Sequence, residues 1–123
     1  MKVRLLLGCA LLMAIAPLGG EQRLTMKLAG TVAFAPADLV VRTTVPADDD
    51  NRAIEIVAES IDFYRSSEIQ LEGARAPRTT MFHLRSLPGG SYEVRAILKG
   101  PGGRRLASVQ GLFNVVGSPA SDR

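Results

Sequence analysis

From residue 38 to residue 116, apolar and polar positions alternate in short runs, each closed by Pro, Gly, Asp or Asn. A two-residue period predicts strands, because successive side chains on an extended backbone point to opposite faces. In the run 38–46, Leu39, Val41, Thr43 and Val45 take one face and Val40, Arg42 and Thr44 the other, and Pro46 ends it. In 52–59, Ile54, Ile56 and Ala58 fall inward, with Glu55, Val57 and Glu59 outward. The stretch 81–116 organises the rest as three strands, MFHLRSL, SYEVRAILK and RRLASVQGLFNVV, separated by PGG and GPGG. Gly89 and Gly90 are the turn residues of the first reversal, with glycine supplying positive φ. Tyr92, Val94, Ala96 and Leu98 face inward after it. Shorter strands are expected at 30–35 and 68–73. The count is seven strands with no amphipathic helix, so the expected fold is all-β, a seven-stranded antiparallel sandwich.

The first twenty residues stand outside this pattern. Two positive charges at Lys2 and Arg4, an apolar run from 5 to 16 and a break at 17–20 have the layout of a secretory signal. About a dozen apolar residues are too few to span a bilayer, which needs about 20. The expected organisation is therefore a signal at 1–20, a polar lead-in at 21–29, the β domain at 30–116 and a frayed tail at 117–123. The mature chain is then secreted or periplasmic, with no transmembrane span. Leu6-Leu7-Gly8-Cys9 resembles a lipobox, but only four apolar residues precede Cys9, and it is read as a cysteine of the signal core. Cys9 is the only cysteine, so its removal leaves no thiol for disulfides, thiol catalysis or thiolate metal sites.

Charge changes the picture once the leader is set aside. The formal +3 of the 123 residues falls to +1 without Lys2 and Arg4, leaving 13 bases against 12 acids. The distribution is lopsided: residues 21–72 hold ten acids and five bases, and 73–123 hold two acids and eight bases. If the strand carrying Glu55 and Glu59 lies beside the one carrying Arg95 and Lys99, these charges become cross-strand partners on a solvated face. Basic residues without interleaved aromatics give no reason to expect nucleic-acid binding.

Candidate chemistry is sparse. His83 is the sole histidine and has no cysteine or second histidine to complete a zinc site or triad. Glu55 and Glu59 share a strand face but lack an apolar pocket to separate their pKa values. Asp48, Asp49, Asp50 and Asn51 offer oxygen ligands, yet no bidentate Glu follows at a calcium-loop offset, and the run is read as a turn. No phosphate-binding glycine loop precedes a helix. In the loop 60–67, Phe63, Tyr64 and Arg65 sit beside a serine pair, a set able to stack on a sugar ring and donate hydrogen bonds. The competing reading has Phe63 plugging one end of the core.

LPGGSYEVRAIL resembles the turn and penultimate strand of fibronectin type III and other immunoglobulin-like domains. The likeness extends loosely to DNRAIEIVAES, RSSEIQLEG and APRT, as in single-domain secreted bacterial proteins. It implies that Tyr92 hydrogen-bonds back to the preceding connection. The absence of a Trp and of a cysteine pair departs from antibody-type domains. Transthyretin-like and carboxypeptidase-regulatory-like domains share the L-P-x-G-x-Y-x-V pattern and are the second choice.

The expected function is a non-enzymatic exported module without cofactors, with a structural role in the bacterial envelope or binding an envelope or extracellular protein. Its docking patch is expected near Val40, Val57 or Ile97. The alternative is a carbohydrate- or ligand-binding module using Phe63, Tyr64 and Arg65.

Overall fold

The computed structural model describes residues 23–117. The chain is all-β, as its alternation requires, and no α-helix occurs among the described residues. Eight strands form in order: β1 (Thr25–Leu28), β2 (Val32–Phe34), β3 (Ala37–Thr44), β4 (Ala53–Glu59), β5 (Tyr64–Gln70), β6 (Thr79–Leu87), β7 (Gly90–Lys99) and β8 (Arg105–Val116). A three-stranded sheet runs β1-β3-β6 and a five-stranded sheet runs β2-β8-β7-β4-β5. The signal reading with Cys9, and the tail beyond Gly117, lie outside the described residues.

The inward positions named from the pattern make the core. Leu39, Val41, Phe82 and Leu84 from the first sheet meet Ile54, Ile56, Ala58, Val94, Ala96, Leu98, Phe113 and Val115 from the second. Fully burying one such aliphatic side chain contributes about 1.5–3 kcal/mol. Thr43 is polar and buried, and its hydroxyl donates to the Thr80 carbonyl of the neighbouring strand at 3.2 Å. Its burial therefore leaves no donor unmet.

Three expectations need correction. Residues 25–28, read as part of a polar lead-in, form β1 and pair antiparallel with Val41–Thr44 of β3. Leu24, just before it, is fully buried and anchors the segment. With only four residues, two of them half-buried, β1 carries too short an alternation to stand out from a polar stretch. Second, β5 begins at Tyr64, so the latter half of the expected 60–67 loop is a strand paired with β4, and only Ser60–Phe63 turns the chain. Third, the sheets are not wholly antiparallel: β2 joins β8 in parallel, Val32 opposite Asn114 and Phe34 opposite Val116. Eight strands split three and five, with that parallel pair, replace the seven-stranded antiparallel sandwich.

Local chemistry accounts for the reversals. Between β6 and β7, positive φ falls on Gly90 alone, at 156°, where an added Cβ would press on Ser60; Gly89 stands against Gly117 and Val115. Tyr92 Oη donates to the Pro88 carbonyl at 2.7 Å, the bond expected of it. A register shift near the start of β3 puts an extra residue on β6, where Ser86 adopts φ 58° and Asp38 Oδ1 accepts its N–H at 3.0 Å.

Candidate functional site

Outward-facing residues of the five-stranded sheet divide into a charged region and an apolar one. In the charged region, β4 lies beside β7, so the acidic strand meets the basic one. Lys99 Nζ stands 3.1 Å from Glu55 and 3.3 Å from Glu68 on β5. Arg95 reaches Glu59 at 3.3 Å and Glu93 at 3.0 Å. Lys99–Glu55 and Arg95–Glu59 are the cross-strand partners that the uneven charge distribution suggested, while Arg95–Glu93 lies within β7. Val57 and Ile97 lie on the same face between them, yet are only 3% and 7% exposed. The long stems of the flanking ion pairs cover apolar surface in this way. The docking patch expected at Val57 and Ile97 is therefore absent, and Val40, on the other sheet, is half-buried.

The apolar region lies at the end where β2 joins β8. A groove of about 630 Å³ is lined by Val32, Ile61, Tyr92, Leu112 and Phe113, with Thr31, Ser60, Ser91, Asn114, Glu59 and Glu93 as its polar contributors. Ile61 is 99% exposed, Leu112 75%, Phe34 66% and Val32 62%. Phe34 and its partner Val116 continue the apolar strip along β2 and β8. Strand register explains the placement: Phe113 and Val115 take the inward positions of β8, which puts Leu112 and Val116 outward.

Beneath the groove, Tyr92 is buried and meets Phe63 edge to face, ring centres 6.2 Å apart. Burial pushes the Tyr92 phenol above its ordinary 10.0, and the nearby Asp62 charge adds to this, while Ser60 and Arg65 oppose it. The Ser60 hydroxyl sits beside that phenol, buried and without a well-formed hydrogen bond among the described residues.

Of the three residues singled out for ligand binding, the fold joins two. The Arg65 guanidinium lies 5.1 Å over the Phe63 ring and donates to the Arg85 carbonyl of β6, tying the two sheets together. Phe63 packs against the core, and Tyr64 points to the opposite face of β5, exposed. Phe63 and Tyr64 thus do not make one stacking platform. His83 is exposed on β6, opposite Val40. The acidic run is a turn: Asp48 Oδ1 accepts the Asp50 N–H at 2.8 Å, and buried Asn51 donates to the Pro46 carbonyl at 3.0 Å. No three His, Cys, Asp or Glu among the described residues gather as a metal site would require.

The groove residues Val32, Ile61 and Leu112 were not anticipated. The available signal was apolar side chains at outward or turn positions, and Leu112, between inward Gly111 and Phe113, is the clearest case.

No family model matches the chain, and no curated protein sequence does. Solved structures resemble it in fold. A superoxide reductase (neelaredoxin) from Ignicoccus hospitalis superposes with a TM-score of 0.60 at 17% identity, covering 79% of this chain and 89% of its own. A point variant of that enzyme gives 0.57 at 18%, covering 79% and 83%. A family 76 glycoside hydrolase from a bovine Bacteroides thetaiotaomicron strain gives 0.54 at 18%, covering 75% of this chain but only 20% of its own. These likenesses correct the fibronectin type III and immunoglobulin resemblance, which rested on a tyrosine hairpin that other β folds can also build. They also correct the expectation of a non-enzymatic envelope module, since the fold is one that superoxide reductases use. The chain is similar in fold to the superoxide reductases.

Proposed function

We propose that this chain seats a small molecule with an apolar body and a cationic or hydrogen-bond-donating end in the groove between β2, β8 and the β4–β5 turn. The observation that supports this reading is the concentration of exposed Val32, Ile61 and Leu112 around one hollow of about 630 Å³. Small-ligand sites typically enclose about 300–1,000 Å³ and are mostly apolar with a few placed polar groups. Glu59 and Glu93 supply the polar side. Arg95 engages only one oxygen of each carboxylate, so two acids share one guanidinium and the pair retains acceptor capacity.

A neutral dye that brightens in apolar sites, N-phenyl-1-naphthylamine, tests the groove with the full chain. Fluorescence should rise on mixing and fall at least about ten-fold in apparent affinity for Leu112→Glu or Ile61→Glu, exposed positions whose replacement spares the core. A folded protein that ignores the dye, or binds it equally in both variants, would overturn the proposal. Octylamine should displace the dye more readily than octanoate.

A second reading, reduction of superoxide, is favoured by the fold likeness. Converting superoxide to hydrogen peroxide consumes one electron and two protons, and the electron must come from a group that changes oxidation state. The described residues contain no cysteine and no cluster of metal ligands, so their donor set does not fit a resident redox metal. A superoxide-consumption assay with added first-row transition metal ions would reveal such an activity as a rate above that of the ions alone.

A further inference from the structure

The outer face of the three-stranded sheet carries an arrangement that strand pairing ordinarily avoids. Lys27 of β1 is directly opposite Arg42 of β3, and both are exposed. Directly opposed residues on one face hold their Cβ atoms about 4.5–5.5 Å apart, and like charges there are destabilising. Neither side chain forms an ion pair or a hydrogen bond among the described residues, whereas Arg23, Arg75, Arg95 and Lys99 are all paired with acids. β1 and β6 contain no acidic residue, and Asp38, the one acid of β3, is occupied with the Ser86 N–H. Two residues along the same strands, Thr25 stands directly opposite Thr44. Thr25, Met26, Lys27, Arg42 and Thr44 line a hollow of about 250 Å³. Two unpaired cations and two hydroxyls thus converge on one concavity.

We propose that Thr25, Lys27, Arg42 and Thr44 form a binding site for a doubly charged oxyanion of the phosphate or sulfate class, free or as the terminal group of an ester. An oxyanion between Lys27 and Arg42 converts their repulsion into two charge-assisted contacts, and the threonine hydroxyls donate to its remaining oxygens. Arg42 supplies a planar fork suited to two oxygens, and Lys27 a point charge. The site lies on the other sheet from the apolar groove and does not depend on it.

The test is thermal unfolding of the full chain in sodium phosphate against sodium chloride at matched ionic strength, for the native chain, Lys27→Gln and Arg42→Gln. Phosphate also stabilises proteins by exclusion from their surfaces, an effect common to all three chains, so the readout is the difference between them. The native chain should gain more from phosphate than either variant, and phosphate titration followed by NMR should show binding roughly ten-fold weaker for each charge removed. In chloride, Lys27→Gln should melt no lower than the native chain, because it relieves the like-charge pair, which also shows that the variant folds. Equal phosphate increments in all three chains, or NMR shifts that bypass β1 and β3, would overturn the site. Phenyl phosphate binding more tightly than inorganic phosphate would assign an ester as the natural group, and the reverse order a free anion; either order supports the site.

Discussion

The carboxylate of Asp38 accepts the backbone N–H of Ser86 across the β3–β6 pair at 3.0 Å, at the residue where the backbone turns left-handed with φ 58°. A non-glycine residue costs roughly 1–2 kcal/mol in that conformation. Ser86→Gly is therefore expected to raise stability by about 1 kcal/mol. Asp38→Ala should lower it by about 0.5–1 kcal/mol, the net worth of one exposed hydrogen bond, since water reaches the freed N–H. Urea unfolding followed by circular dichroism measures both, and opposite signs are the outcome that checks the account.

Asn51 is buried, and its side-chain amide donates to the Pro46 carbonyl, closing the turn between β3 and β4. Asn51→Ala leaves that carbonyl short of a partner and should destabilise the fold by about 1–3 kcal/mol. Because Asp48 already holds the Asp50 N–H and pairs with Arg23, added calcium should not shift the unfolding midpoint. A calcium-dependent rise would show that the acidic turn has a ligand-binding role.

Tyr92 joins the hairpin to the core through its bond to the Pro88 carbonyl. Tyr92→Phe keeps the ring and loses the bond, for an expected cost of about 1 kcal/mol. Tyr92→Ala also opens a cavity and should cost about 3–5 kcal/mol, a large share of a typical domain's stability. The gap between the two separates the phenol's bond from the ring's packing.

Alkaline pH should weaken the fold, and the sign follows from two groups. Hydrogen bonds to Glu55 and Glu68 raise Lys99 above 10.5, and burial raises Tyr92 above 10.0. Both hold their protons more tightly folded than unfolded. Their stabilisation is complete below the unfolded values and is lost as pH climbs through the folded ones. The melting temperature should therefore fall more steeply above about pH 10 in the native chain than in Lys99→Met or Tyr92→Phe.

How far the architecture could be read from the amino acids depended on burial on one face. Where one face is sealed against the opposite sheet, as at Leu39, Val41 and Thr43 in β3 or Ile54, Ile56 and Ala58 in β4, alternation named the inward residues correctly. β1 is four residues long, too short for a period to emerge, and its place was settled by Leu24; the strand expected at 30–35 forms as β2, but its parallel place was settled by the distant strand β8. The groove was illegible for a related reason. Its walls come from the start of β2 and the residue before it, the β4–β5 turn, the start of β7 and the end of β8, which only folding assembles. Val57 and Ile97 show the converse, since alternation places them outward without revealing that neighbouring ion pairs cover them.

The parallel contact of β2 with β8 makes the start of the described chain a clasp. β1 belongs to one sheet and β2 to the other, with Ala35–Pro36 leading back to the first. Joining Val32 to Asn114 closes a loop that spans most of the described residues, whereas the β7–β8 hairpin closes across a few. The entropy of so distant an encounter is recovered only after β8 has a sheet to belong to, which makes the clasp a late event in folding. Amide exchange should then find Val32–Phe34 among the first segments to open, with the remaining seven strands still in place.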